Sequence, residues 1–240
     1  MKKLVLGLLF LAVLPGLAFG EVVVTTGAGY KNMVEKLAEA YRAEGGAIEE
    51  MYGGNIGQMV MQIEQGSGAT IIISDRESLE SVSKEGAYDF YRDLGGTVLV
   101  LAWRKGLELK APEDLEKAEV RSVCHPDPKA AIYGRAASRF LQSSGIGERV
   151  AGKLSVVATV PQVFAYLVSG DMDAGFLNRV MIQNGGDKLG GSMEIAEGYP
   201  PLVMIAAVVK GHGDRPETKA FLDFLASDKG REILKKNGIW

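Results

Sequence analysis

Apolar and polar positions alternate along this chain in two periods, and the periods take turns. The β-branched run at 22–26 predicts a buried strand. At 31–43 the apolar residues Met33, Val34, Leu37, Ala38 and Tyr41 recur at helical spacing and mark one face of an amphipathic helix. Strand patterns follow at 47–52 and 70–74, with "III" in the second suiting a strand covered on both faces. Helical patterns follow at 58–64, with Met59, Val60 and Ile63 inward, and at 75–84.

The second half repeats the alternation. Short strands are expected at 120–124, 155–157 and 173–178, and helices at 133–142, 161–169, 216–226 and 228–236. A short helix begins at Pro112, and Ser227 is placed to cap the last helix. Two longer runs, 95–106 and 199–211, predict long strands about 100 residues apart. Strands alternating with helices predict a parallel α/β architecture. If both long strands cross between halves, the chain makes two lobes: 21–102 plus 204–240, and 103–203. A cleft between them is the expected ligand site.

Residues 1–20, "MKKLVLGLLFLAVLPGLAFG", stand apart. Lys2 and Lys3, an apolar run and Ala18-Phe19-Gly20 form a secretory signal peptide, cut before Glu21, so the expected location is the periplasm. The rival is a membrane anchor, but Pro15 breaks the run and a span needs ~20 apolar residues. Without Lys2 and Lys3, 220 residues carry 25 basic and 30 acidic side chains, a net charge of −5. No basic face results, which argues against nucleic acid as a partner. The single cysteine, Cys124, precludes an internal disulfide. Cys124-His125, with His212 the only other histidine, falls short of a zinc site; a core thiol beside a loop histidine is expected. No metal or cofactor is expected.

Glycine-rich turns carry the candidate chemistry. "TTGAGYKN" (25–32) joins the first strand to the first helix. Asn32 occupies the third glycine position of a dinucleotide fingerprint, and Gly-Lys-Ser/Thr is absent. "GGNIG" and "AIYGR" precede two further helices. Such turns present backbone N–H groups at helix N-termini, where a small anion or carboxylate binds. They also serve as ordinary strand–helix turns with glycine at φ > 0, and spacing alone leaves both readings open.

Four stretches together resemble periplasmic molybdate-binding proteins: "GGNIGQMVMQIEQGSGATIIISD", "HPDPKAAIYGRAASRFL", "VPQVFAYLVSGDMDAGFLN" and "FLDFLASDKGREILKKNGI". The resemblance implies a class II periplasmic-binding-protein fold, α/β, with two lobes joined by crossing strands. It also implies a receptor role for an ABC importer, with a small anionic ligand and an inner-membrane ABC permease as partners. That family's first serine position falls at Ala28, within Gly27, Ala28, Gly29 and Tyr30. The second falls at Asn55 or Ile56, after Gly54. The third turn becomes Ile132, Tyr133 and Gly134, followed by Arg135. The backbone donor at the next helix start maps to Val160, and the tyrosine ending the following strand becomes Asn178.

Three hydroxyls are thus missing, each a donor worth about 1.5–3 kcal/mol to a charged oxygen. The amides of Asn55 and Asn178, the hydroxyls of Tyr30 and Tyr133, and Arg135 or Arg179 are the expected replacements. That mix suits an organic anion better than a bare oxyanion. The protein is expected to act as a monomer without catalysis. A molybdate or tungstate receptor with a changed ligand shell is one alternative. An effector-sensing domain of LysR type is another, disfavoured by the leader and by the lack of a helix-turn-helix segment. An exported hydrolase is a third, with no G-x-S-x-G and only two histidines.

Overall fold

The structure is a computed structural model that describes residues 20–54, 56–129 and 131–240. The expected signal peptide therefore lies outside the described residues, apart from Gly20. The first half of the chain runs β1 (Val22–Thr26), α1 (Lys31–Ala43), β2 (Ile48–Tyr52), α2 (Ile56–Glu64), β3 (Ile71–Asp75), α3 (Arg76–Val82), β4 (Tyr88–Thr97) and β5 (Leu99–Trp103). Then come β6 (Val123–Pro126), α4 (Ile132–Ser143), α5 (Ile146–Arg149), β7 (Leu154–Val157), α6 (Val160–Ser169), β8 (Ala174–Asn178) and α7 (Arg179–Gly185). The last elements are β9 (Gly191–Ile195), β10 (Leu202–Val209), α8 (Pro216–Ala226) and α9 (Asp228–Lys236).

The strands form two five-stranded sheets, ordered β2-β1-β3-β10-β4 and β7-β6-β8-β5-β9. Both are mixed rather than all-parallel as expected: β10 runs antiparallel to β3 and β4, and β5 runs antiparallel to β8 and β9. These strands enter from the opposite sheet, not by a helical crossover, so nothing forces parallel pairing. The expected strand 95–106 is two strands in different sheets. The chain passes between sheets at Val98 and again over 196–201. The sheets therefore part a few residues before the expected boundaries at 102 and 203. The first half of β4 was hidden because "YDFYRD" is half polar and lies on a sheet edge, where one face stays wet.

Burial explains the rest. Every residue of β3 is buried. Ile71 and Ile73 enter the main core, while Ile72 packs with Met59, Val60 and Leu79 beneath α2 and α3. The stripe Met33, Val34, Leu37, Ala38 and Tyr41 is buried as its spacing requires. Tyr41 meets Phe221 of α8 edge-on, with ring centroids 5.1 Å apart. Burying Leu37 alone stabilises the fold by roughly 1.5–3 kcal/mol, and Leu37→Ala would cost about 2–5 kcal/mol. Ser227 caps α9, its hydroxyl accepting from the Gly230 N–H at 3.1 Å.

Both passages between the sheets are tied down. The Tyr199 hydroxyl accepts from the Leu99 N–H at 2.9 Å and donates to the Ile195 carbonyl. Gly96 and the terminal Trp240 exchange two backbone hydrogen bonds of 2.8 and 3.1 Å. Cys124 and His125 are both buried in β6, so the histidine is a strand residue and not a loop one. Burial pushes the Cys124 thiol up to about 12, and the His125 Nδ1–H donates to the Pro126 carbonyl at 2.7 Å. Among the described residues no helix is long and apolar enough to cross a membrane, and no group of His, Cys, Asp and Glu could hold a metal ion.

Candidate functional site

A cavity of about 280 Å³ lies between the two sheets. Residues at or just beyond the ends of β1, β2 and β3 line one wall, and residues at or just beyond the ends of β6, β7 and β8 line the other. The topology makes this site. All six of these strands run parallel to a neighbour, so within each sheet their ends gather at one edge, and each hands the chain to a helix there. The N-termini of α1, α2, α4 and α6 consequently meet at one place, each with backbone N–H groups that the helix itself leaves unpaired.

Gly27, Gly29 and Tyr30 come from the first turn, Gly54 and Ile56 from the second, and Ser74, Asp75 and Ser78 from the third. Across the cleft stand Ala131, Ile132 and Tyr133, then Ala158, Thr159, Val160 and Pro161, then Asn178. No lysine, arginine or histidine is among these lining residues, and Asp75 is their one formal charge.

Three networks hold the walls. The Tyr30 hydroxyl donates to that of Tyr133 at 3.4 Å, and Tyr133 is 3.0 Å from the Thr97 hydroxyl. Burial raises the pKa of both phenols, so both stay protonated at neutral pH. Asp75 caps α3: Oδ1 accepts from the Ser78 N–H at 2.8 Å and from Arg135 at 3.3 Å, and Oδ2 accepts from the Ser78 hydroxyl. One helical turn on, Arg139 grips Glu77 with Nη1 and Nη2, the first at 2.8 Å, and holds its carboxyl below the ordinary range. Arg135 and Arg139 belong to α4 and their partners to the last residue of β3 and the first turn of α3, so these bonds span the cleft. Asn178 and Thr159 cap α7 and α6, accepting from Met181 N–H at 3.0 Å and Gln162 N–H at 3.3 Å.

Of the residues singled out in the sequence, Gly27, Gly29, Tyr30, Gly54, Ile56, Tyr133, Val160 and Asn178 line the cavity. Ala28 lies in the 3-10 turn between β1 and α1, and Asn55 lies outside the described residues. Gly134 is not in the lining. A Cβ there would sit 2.4 Å from the Pro126 carbonyl oxygen, so this glycine lets α4 approach the loop before it. Arg135 is outside the lining as well, engaged by Asp75 and Ser78. Arg179 pairs with Glu194 and stacks 3.7 Å over the Trp240 ring.

The glycines of the first turn do not need a left-handed backbone. Gly27 has φ −71°, and Gly29 is not among the positive-φ glycines. A Cβ at Gly29 meets nothing within 4 Å, so the turn gains open space, not conformational freedom. Sequence reasoning missed Ser74, Asp75, Ser78 and Thr159. Asp75 was legible as a cap, because an Asp ending an apolar strand just before a helical pattern is a start signal.

The profile of bacterial extracellular solute-binding proteins matches residues 22–239. The chain belongs to this solute-binding protein family. Within it, the molybdate-binding protein ModA of Rhodobacter capsulatus is 27% identical over 239 residues, covering 95% of this chain and 93% of that one. ModA of Azotobacter vinelandii is 25% identical over 224 residues, covering 91% and 89%. The solved periplasmic molybdate-binding protein of A. vinelandii superposes with a TM-score of 0.76 at 23% identity, covering 91% of this chain and 98% of that one. Solute-binding proteins of this kind serve ABC importers outside the cytoplasm, and these relatives are binding proteins and not enzymes. The expected two-lobed class II fold and molybdate-binding-like family are thus met.

Proposed function

We propose that this protein is a periplasmic receptor that takes a small organic anion, such as a carboxylate, into the cleft between its lobes and delivers it to an ABC permease. The observation that carries the reading is the convergence of four helix N-termini on a cavity whose lining has no cationic side chain. Helix ends bind anions through oriented N–H groups and the local positive potential, without a counter-ion. The hydroxyls of Tyr133, Ser74 and Thr159 and the Asn178 amide add donors. At about 280 Å³ the cavity is close to the lower end of small-molecule pockets, ~300 Å³, which suits a small ligand.

In this reading the protein acts as an exported monomer, performs no catalysis and binds no nucleic acid. The second reading, a molybdate or tungstate receptor with a changed ligand shell, is favoured by the identity to ModA of R. capsulatus. Native mass spectrometry of protein isolated from the periplasm separates the two by the mass of the bound species. Calorimetry on the Gly29→Val variant then tests the place. The new side chain enters open space in the cavity, so affinity should fall at least about tenfold, roughly 1.4 kcal/mol, with little change in ligand-free melting. Unchanged affinity would remove the first turn from the site.

A further inference from the structure

We propose that Asp75 sets the specificity of this cleft: it selects anions that also carry a hydrogen-bond donor, as hydroxy- and amino-carboxylates do, and disfavours fully deprotonated oxyanions. The proposal rests on the reading of the cleft as an anion site. Asp75 ends β3 with the residue only 4% exposed, and it is the one lining residue with a formal charge. An ionised carboxylate accepts and cannot donate, at about four lone-pair positions. Oδ1 already takes two donors, the Ser78 N–H and Arg135, and Oδ2 takes one, the Ser78 hydroxyl. One position on Oδ2 has no donor among the described residues.

A ligand hydroxyl or ammonium completes that set. An oxyanion oxygen placed there meets a second acceptor and a like charge in a buried setting, where such contacts are costly. Arg135 balances the charge of Asp75 from outside the lining, so the carboxylate is the member of the pair that meets the ligand. Across the cleft the arrangement is the reverse. The Oδ1 of Asn178 is held by the Met181 N–H, which leaves its Nδ2 as a donor with no acceptor among the described residues. The cleft thus offers donors from several walls and one anionic acceptor, a complement to a ligand with an anionic end and a donor near it.

The test is calorimetric titration of ligand-free protein with matched pairs that differ by one hydroxyl: glycolate and acetate, L-lactate and propionate, L-malate and succinate. Sodium molybdate is the donor-free dianion. Wild type should bind at least one hydroxy acid tenfold or more tighter than its partner. Asp75→Asn keeps a good cap for α3; it should shrink that preference below threefold and raise molybdate affinity at least tenfold. The double variant Asp75→Asn/Arg135→Gln should also gain molybdate affinity, because the carboxylate and not a freed guanidinium is the cause. Equal affinity of wild type for every matched pair would overturn the proposal while leaving the anion site standing, as would a preference that survives in Asp75→Asn. Absence of binding by any of these anions would overturn the anion reading and this proposal with it. Should Asp75→Asn fail to fold, the wild-type ratios still decide, and ratios near one would overturn the proposal.

Discussion

Tyr133→Phe removes one oxygen from the contact between the two walls and leaves two others without partners. The Thr97 hydroxyl, 3.0 Å from Tyr133, and the Tyr30 hydroxyl, 3.4 Å away, have no other bond among the described residues. A buried polar group left unpaired costs about 1–3 kcal/mol. Tyr30 lines the cavity and can turn to water there, so most of the loss falls on Thr97, which is 8% exposed. The sum is about 1–2 kcal/mol, or about 2–8 °C of melting temperature for a protein of this size. Tyr30→Phe removes only the longer bond and keeps Tyr133 on Thr97; its expected cost is about 0.5 kcal/mol or less. Calorimetric melting of the ligand-free variants at pH 7 measures both. The reasoning fails if Tyr133→Phe melts within about 1 °C of wild type, or if Tyr30→Phe is the more damaging change.

Gly134→Ala should lower stability by about 1–3 kcal/mol, because its Cβ would meet the backbone oxygens of Pro126 and Asp127 at 2.4 and 2.7 Å; chemical denaturation reads this, and a neutral result would contradict the packing. Glu77 is held below its ordinary value of 4.5 by Arg139, so the clasp across the cleft is fully present above that value and is lost as pH falls through the lower one. Small-angle scattering should show a larger radius of gyration for Arg139→Ala at pH 7, and for wild type only when acidified; equal radii would deny the clasp a part in closure. Burial raises the Cys124 thiol to about 12, so a thiol reagent at pH 8 should react only after denaturant is added.

How far the sequence could be read depended on whether a residue acts with its neighbours or with the opposite wall. The stripe of α1, the apolar β3 and the capping Ser227 follow from local spacing, and all three stand where the pattern put them. The turns 27–30 and 54–56 were legible because glycine before a helix is a local signal. Arg135 was not, because its role depends on Asp75, sixty residues earlier, which meets it only when the sheets face each other. Gly134 was read as a ligand turn, whereas the neighbouring carbonyls explain it fully. The two passages between sheets were misplaced for a similar reason. Val98 lies inside one continuous apolar run, and hydropathy does not record which sheet a strand joins.

The central claim is that an anion sits among helix N-termini between the two sheets. A crystal structure of the protein with the species it carries from the periplasm tests this most directly. The account predicts ligand density in the cavity between Tyr30, Asp75, Val160 and Asn178, with the anionic group within hydrogen-bond reach of backbone N–H groups at the starts of the surrounding helices. Density in the open groove beside His125 and Glu148, with the inter-sheet cavity holding only water, would contradict it.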